Sequence, residues 1–503
     1  MLGPEHLSTL ISMGNLAATY SRQGKYEEAK ELQVKVLDLC RKMLGPGHPH
    51  TLTSMAHLAV TYSDQGKYEE AEELNLKVLN LRREMLGPEH PHTLTSMAQL
   101  AGTYADQGKY EEAGELQLKV LNLSKNALGP DHPSTLISMG NLAGRYSVQG
   151  KYEEAGELQL KVLDLHRKML GSEHPHTLTS MAHLAEIYSN QGRYEEAGEL
   201  QLKVLDLSKN ALGPDHPSTL ISMGNLAGIY SRQGEYKEAE VLQLKVLDLH
   251  RKMLGPEHPH TMTSMAHLAG TYSKQGKYEE AEELQLKVLD LHRQMLGPKH
   301  PHTLINMANL GAIYQKQEKN EEAEDLQLEV LDLFKKALGP DHPSTLISMG
   351  NLAGIYLSQG KYKEAEDLQL KVLDLHRRML GPEHPHTLTS MAHLAATYSS
   401  QGKYAKAEEL QLKVLDLHRE ILGPKHPHTL INMANLQAIY QNKKKIRRLE
   451  SCRCKLTQFS KLNKIMKNRW LVRILTSVSS RLINTVFIFF SPSSAIPCTQ
   501  SRP

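Results

Sequence analysis

Cysteine, tryptophan and phenylalanine are nearly absent from most of this 503-residue chain. Cys40 is the only cysteine before residue 442, and the single Trp and four of the five Phe also follow that point. One cysteine cannot form a disulfide framework, so a reducing compartment and a cytoplasmic location are favoured. The composition predicts two parts: a body, residues 1–441, and a tail, residues 442–503.

Long apolar runs and catalytic signatures are missing as well. The most apolar stretch, residues 482–490, is interrupted by Asn484 and is far shorter than the roughly 20 residues of a membrane-spanning helix. The N-terminus lacks the apolar segment of a secretory signal. The sequence contains neither a phosphate-binding loop, nor Gly-x-Ser-x-Gly, nor His-Glu-x-x-His. We therefore expect no membrane span, no enzymatic activity and no cofactor.

Positive charge is scarce in the body and concentrated in the tail. The tail holds 14 Lys and Arg against one acid, Glu450, so its net charge is +13. The whole chain carries +3, which leaves about −10 for the body. Nucleic-acid-binding domains usually show a basic stripe. The acidic body therefore argues against nucleic acid as the partner of residues 1–441.

A 42-residue repeat dominates the body. It is marked by Leu-Gly-Pro or, once, Leu-Gly-Ser, beginning at residues 2, 44, 86, 128, 170, 212, 254, 296, 338, 380 and 422. No insertion or deletion interrupts this phase. The pattern predicts ten complete units and a partial eleventh, and such a period is typical of a helical solenoid.

The second unit shows why each repeat should form a helical hairpin. Apolar residues recur every three to four positions after Pro49, which suits the first turn of a helix. Gly66 can adopt the left-handed conformation that ends this helix A. Helix B should start near Tyr68 and stop at Gly87. It carries two apolar stripes, one with Ala71, Leu74, Val78, Leu81 and Met85 and one with Leu76 and Leu79. A single hairpin cannot bury both stripes, so neighbouring units must stack.

The repeat resembles the tetratricopeptide repeat, specifically the kinesin light chain type. The resemblance is carried by Leu58-Ala59, Tyr62, Gly66, Tyr68 and Ala71, together with Leu-Gly-Pro-x-His-Pro between units. It implies an all-α, right-handed superhelix whose concave wall, lined by helix A, holds peptide segments of other proteins. Similar arrays occur in nephrocystin-3-like proteins and as arms of fungal and bacterial NTPase-linked receptors. The heptad coiled coil of kinesin light chains is absent from the sequence, which argues against a motor-adaptor role.

One position of helix A forms a column of uncharged residues that both donate and accept hydrogen bonds. We call it the groove column: Asn15, His57, Gln99, Asn141, His183, Asn225, His267, Asn309, Asn351, His393 and Asn435. In the family that the chain resembles, Asn at this position contacts peptide backbone or a terminal carboxylate. The alternative is a solvated face copied by duplication.

Neighbouring positions of helix A vary in a regular way. One turn before the groove column, Ile accompanies every Asn and Thr accompanies every His or Gln. One turn after it, small residues such as Gly228 and Gly270 leave room for a ligand. The following turn changes charge, from Asp64 and Asp106 to Arg232. This variation in charge is explained equally well by adaptation of the groove to its ligand and by neutral drift.

The 27 histidines suggest zinc, but their positions favour structural use. Pairs such as His48 and His50 stand at helix starts, while His166 and its equivalents stand near the end of helix B. A zinc site needs about four converging ligands, and these pairs are spaced one unit apart. We therefore expect no metal site.

Both ends of the array break the pattern. Met1 occupies the last position of a helix B, as if the chain continued a longer array. After Gln441 the sequence matches an out-of-frame reading of the repeat at residues 316–324, so we interpret the tail as frameshifted. The alternative is a genuine basic tail that contacts anionic membrane or nucleic acid. In the eleventh unit, helix A should run from Pro427 to about Gln441 and dock through Leu430, Met433 and Leu436.

These features together predict a non-catalytic scaffold that binds peptide segments of other proteins in its concave groove. The alternative is the sensor arm of a larger NTPase-type receptor. An in-frame phosphate-binding domain encoded upstream of Met1 would favour that alternative.

The tail interpretation predicts that limited proteolysis trims the chain to near residues 443–448 and leaves a core of unchanged melting temperature. A basic, aperiodic segment has no apolar face with which to cover the last unit. Mass spectrometry of the fragment and its thermal melt measure this. Resistance to protease, with a melting temperature several degrees lower after tail removal, would identify a real capping element instead.

Overall fold

The computed structural model describes residues 6–23, 25–424 and 426–463, and every regular element in these ranges is an α-helix. Odd-numbered helices are the A helices of units one to eleven, and even-numbered helices are the B helices. Their bounds are α1 Leu7–Arg22, α2 Tyr26–Leu44, α3 Pro49–Asp64, α4 Tyr68–Leu86, α5 Pro91–Asp106, α6 Tyr110–Leu128, α7 Pro133–Val148, α8 Tyr152–Leu170, α9 Pro175–Asn190, α10 Tyr194–Leu212, α11 Pro217–Gln233, α12 Tyr236–Leu254, α13 Pro259–Gln275, α14 Tyr278–Leu296, α15 Pro301–Lys316, α16 Asn320–Leu338, α17 Pro343–Ser358, α18 Tyr362–Leu380, α19 Pro385–Ser400, α20 Tyr404–Ile421 and α21 Pro427–Asn463. The predicted all-α solenoid of helical hairpins is confirmed.

Each helix A begins with a histidine whose ring caps the helix. In unit two, the backbone N–H of His50 donates to His48 Nδ1 at 3.2 Å, and Pro49 occupies the first turn. All eleven units repeat this cap. It satisfies an N–H that has no partner within the helix. Since Nδ1 accepts, the capping imidazole is neutral and its proton lies on Nε2.

Left-handed glycines end the helices where the sequence predicts. Gly66 has φ 73° after helix A, and Gly87 has φ 89° after helix B. An L-residue with a side chain is strained in this region, whereas glycine is not. Helix B starts at Tyr68, with Glu69 and Glu70 in its first turn. The hairpin boundaries of unit two are therefore confirmed.

Helix B uses its two apolar faces on two different neighbours. Val78, with Leu74, packs on Leu52 and Met55 of its own helix A. The adjacent Leu79 packs on helix A of the next unit, in a second cluster with Met97. The same pair of clusters repeats along the array. The core is thus a continuous ribbon between layers of helices, as the two stripes predict.

A buried glutamine on helix B adds a polar link that sequence analysis missed. Gln117 is 1% exposed, and its Nε2 donates to the Ser138 carbonyl of the next helix A at 3.1 Å. Gln159 donates to the Ser180 carbonyl in the same way, at 3.0 Å. Because an amide inside an apolar interface is costly unless it is hydrogen-bonded, this link favours one register between units.

Two expectations about burial were wrong. Met85 was placed in the apolar stripe but is 55% exposed. In unit eleven, Leu436 is buried as expected, whereas Leu430 and Met433 are exposed. Their equivalents Leu52 and Met55 are covered by the following helix B, and no helix B follows α21 in the described residues.

The last helix is longer than predicted. It continues from Pro427 to Asn463, not to about Gln441, so residues 442–463 are helical. The position that holds a left-handed glycine in most other units is Lys444 here, and the Lys, Arg and Leu that follow are good helix formers. Nothing therefore ends the helix at the usual place. By its contacts the chain separates into two compact parts, which are larger divisions than the 42-residue units. The second part begins at Gln437. The rest of the tail, from residue 464, lies outside the described residues.

Unit eight contains a strained turn, which leads to a prediction. Glu318 is the only non-glycine with positive φ among the described residues, at 64°. A side chain in this region costs about 1–2 kcal/mol, so Glu318→Gly should raise the free energy of unfolding by about 1 kcal/mol. Hydrogen exchange within the array should be fastest at residues 314–322. The control Glu322→Gly, inside helix α16, should lower the free energy of unfolding instead. Uniform protection of backbone amides from hydrogen exchange across units four to nine would contradict the exchange prediction.

Buried histidines predict that the array loses stability in mild acid. Burial, with smaller effects from neighbouring histidines, lowers the pKa from 6.5 to about 4 at His292, His300, His376, His384, His418 and His426. The unfolded chain then binds more protons than the folded chain between these values. The free energy of unfolding should therefore fall as the pH drops through 6.5 and continue to fall towards 4.

Denaturant melts at pH 7.5, 6 and 5 measure this loss. Serine replaces the helix B histidine in units three and five, at Ser124 and Ser208. His376→Ser with His418→Ser should therefore flatten the pH dependence while the fold is kept. An unchanged slope in this variant would show that other groups control the acid response.

Candidate binding groove

The groove column lies on the face of helix A opposite the core. Ten of its eleven residues are exposed and Gln99 is half-buried. Asn225 directly precedes Leu226 and Ala227, which are 1% and 0% exposed. Consecutive residues of a helix point about 100° apart, so the residue before this buried pair turns to the surface.

Helix A forms the inner wall of the curved array. Helices A of consecutive units touch one another, as α9 and α11 do, and so do α15 and α17. Elements that approach closely lie on the inside of a curve. The groove column therefore runs along the concave wall of the array.

A cavity on this wall joins consecutive members of the column. It measures about 430 Å³ and is lined by Asn225 of α11 and His267 of α13. Gly228 and Gly270 form part of its surface. A Cβ built on either glycine would meet no described atom within 4 Å. The predicted space for a ligand is present at this point.

Two smaller cavities repeat the arrangement elsewhere. Gln99 and Asn141 line one of about 400 Å³, and Asn351 and His393 line another of about 210 Å³. Each of the three cavities pairs one unit of the Ile type with one of the Thr type. None of these three cavities is lined by the remaining column members, Asn15, His57, His183, Asn309 and Asn435.

Exposed isoleucines give the groove apolar surface beside these polar groups. Ile137, Ile221 and Ile347 are 59%, 58% and 54% exposed. Large aliphatic side chains are usually buried, so these exposed isoleucines add apolar surface to the wall. The wall thus alternates hydrogen-bonding and apolar positions at the spacing of the units.

Partial burial favours the uncharged form of two column histidines. Burial lowers the pKa of His267 and His393 below 6.5. Both imidazoles are therefore neutral at pH 7, and each offers one donor and one acceptor. Asn and Gln offer the same combination, so every column position presents similar chemistry.

Charge appears one helical turn beyond the small residues, and it changes sign along the array. Asp64 accepts a hydrogen bond from Ser21 Oγ at 2.9 Å, and burial raises its pKa. Arg232 donates to Ser189 Oγ at 2.8 Å, and both residues line the cavity between Asn225 and His267. In that same cavity, burial and the adjacent Arg232 lower the pKa of Lys274.

The described residues contain no group of three or more His, Cys, Asp or Glu side chains placed to hold a metal ion. The helix-B histidines instead bond to the following helix A, as His166 Nδ1 does with Ser180 Oγ at 2.8 Å. Burial lowers the pKa of His166 and His376, which disfavours their charged form at the helix end. No helix in the described ranges is long and apolar enough to cross a membrane.

Comparison with solved structures finds several similar helical arrays. A Podospora anserina structure of kinesin light chain nearly identical TPR-like repeats is 36% identical, covers 40% of this chain and 95% of its own, and has a TM-score of 0.36. BtubC from P. vanneervenii is 16% identical over 47% and 92% of the two chains, with a TM-score of 0.36. A Rap protein complexed with competence and sporulation factor is 11% identical over 74% and 99%, with a TM-score of 0.49. A search of curated proteins finds no match.

The family comparison agrees with the repeat and with the hairpins. The model of the tetratricopeptide repeat matches ten overlapping segments that together run from residue 7 to residue 445. These segments contain all the predicted helix pairs and the whole groove column. The chain therefore belongs to the tetratricopeptide repeat family.

Proposed function

We propose that this chain is a non-catalytic scaffold that binds peptide segments of other proteins along its concave wall. The observation that supports this most directly is the cavity of about 430 Å³ between Asn225 and His267. It lies on the predicted column, and two successive units contribute equivalent groups to it. The eleven column residues are the proposed peptide-binding set.

The chemistry of the wall suits an extended polypeptide. A side-chain amide can accept from a peptide N–H and donate to a peptide C=O at the same time. Such contacts do not depend on peptide sequence. Ile137, Ile221 and Ile347 would add contacts with apolar side chains of the partner, and this is where preference for a sequence can arise.

Removing two column amides should weaken peptide binding without unfolding the array. Asn141→Ala with Asn225→Ala deletes hydrogen bonds worth about 0.5–1.5 kcal/mol each. Both side chains are exposed, so the melting temperature should change little. The measurement is the dissociation constant, by calorimetry, of peptides selected on the full-length chain from a displayed random library.

The control is Asn80→Ala with Asn122→Ala, an equal change at exposed positions of helices α4 and α6. This variant should bind as tightly as the unmodified chain. Equal affinity of the Asn141/Asn225 variant and the unmodified chain would refute the groove assignment. Equal losses in both variants would place the binding surface elsewhere.

A further inference from the structure

Units far apart in the sequence touch each other through a contact that recurs with one spacing. The ring nitrogen Nε2 of His300 lies 3.0 Å from the Asp64 carbonyl oxygen, 236 residues away. His342 repeats this contact with the Asp106 carbonyl at 3.1 Å. His384 repeats it with the Val148 carbonyl, also at 3.1 Å. At the fourth equivalent position the ring of His426 packs against the turn at Gly192, but its Nε2 has no hydrogen-bond partner among the described residues. The end of helix A in units two to five therefore meets the start of helix A in units eight to eleven.

Close packing of glycine on proline accompanies each of these contacts. A Cβ built on Gly66, Gly108, Gly150 or Gly192 would lie 2.4–2.7 Å from a proline ring carbon of the opposite unit, closer than atoms can approach. Gly360 also has a left-handed φ, of 76°, but no described atom lies within 4 Å of its Cβ. The left-handed turn favours glycine in most units, whereas among the described residues only these four glycines also face a proline that leaves no room for a side chain.

Ring stacking completes two of the four contacts. Tyr26 stacks on His300 with ring centres 5.9 Å apart, and Tyr68 stacks on His342 at 5.8 Å. The hydrogen bond has a defined direction, because Nδ1 of each histidine already accepts a helix N–H. The proton therefore lies on Nε2, and Nε2 donates to the carbonyl of the opposite turn. The cap histidine has this second role only where another turn lies opposite.

The charge pattern at the end of helix A follows the same division. In the four units that meet an opposite turn, the residue two before the glycine is Asp64, Asp106, Val148 or Asn190. In the next three units it is Arg232, Lys274 or Lys316. Burial lowers the pKa of His342, and the hydrogen bond and the negative charge of Asp106 oppose this shift. No cation occupies this position in the four contacting units, where it would face a histidine.

These contacts matter for the groove because they lie at the edges of its wall. Asn351 and His393 belong to α17 and α19, whose first residues meet the ends of α5 and α7. The wall around Asn351 and His393 therefore borders directly on helices of another turn of the coil. Among the described contacts, no opposite turn meets α11, the helix that carries Asn225. In the described residues, therefore, these contacts border one stretch of the groove and leave another without such a border.

We propose that the four contacts form a latch that holds successive turns together and closes the side of the groove along the bordered stretch. Opening of the latch then widens the approach to Asn351 and His393, which are exposed but bordered when it is closed, while the approach to Asn225 is the same in either state. The consequence for a peptide partner rests on the proposed function; the latch itself does not. The latch is built from four separate small contacts, so losing the two central ones should open it.

The first test breaks the latch with two added methyl groups. Gly108→Ala with Gly150→Ala places Cβ atoms into Pro343 and Pro385. The matched control is Gly360→Ala with Gly402→Ala, because these glycines have φ 76° and 77° and no opposite proline. Both variants carry the same backbone strain. Small-angle scattering of the full chain should show a larger radius of gyration for the first variant only.

The second test measures access to the groove without any partner. The background variant has the three tail cysteines changed to serine and keeps the buried Cys40. Asn351→Cys and Asn225→Cys are then made separately, and the rate at which each new thiol reacts with a bulky maleimide is measured. Before the latch is broken, residue 351 should react more slowly than residue 225. Breaking the latch should speed the reaction at residue 351 by roughly tenfold, as a minor open state becomes dominant. The reaction at residue 225 should not change.

A second pair of variants avoids steric strain. His342→Asn with His384→Asn keeps a helix-capping side chain but removes the ring and the Nε2 donor. His216→Asn with His258→Asn makes the same change in units six and seven, where no described contact joins an opposite turn. Expansion and faster labelling in the first pair alone would support the latch. Equal behaviour of both pairs, or an unchanged radius of gyration in the Gly108/Gly150 variant, would overturn it. Neither result depends on whether column substitutions affect peptide binding.

Discussion

The two-sided packing of helix B is the constraint on which the array depends. Val78 faces the helix A of its own unit and Leu79, the next residue, faces the following unit. Neither face can be buried by one hairpin alone. Each unit is therefore stable only between neighbours, and stability becomes a sum over interfaces. The buried amide of Gln117 favours one register of this apolar contact, because its hydrogen bond to the Ser138 carbonyl forms only in that register.

A regular interface between neighbours also determines contacts over long distances. Because the units are nearly identical, each adds nearly the same rotation and rise, and small angles accumulate. The spacing of 236 residues between His300 and Asp64 recurs at His342 and His384 because the coil repeats itself. The sequence predicts that the units stack, since stacking depends on apolar stripes. It does not predict which units meet across a turn, because that depends on an angle that no single residue encodes.

The same distinction explains which predictions were confirmed. Helix starts and stops were predictable, because Pro49 and Gly66 act through their own backbone preferences. The exposure of Met85 and Leu430 was not, because it depends on which helix lies beside each residue. The positions of the groove column were predictable from helical periodicity. The cavities were not, because each requires two units and their spacing.

The charge at the end of helix A differs between units of an otherwise nearly identical array. Where neutral drift alone acts, charge at this position should be unrelated to the coil. Asp64 and Asp106 lie where helix A ends against an opposite turn, and Arg232 and Lys274 lie where no described contact joins that end to one. The same position of the repeat therefore has different surroundings in different units. The groove of this protein therefore owes its uniform chemistry to repetition, and its different stretches to the way in which the repeats coil.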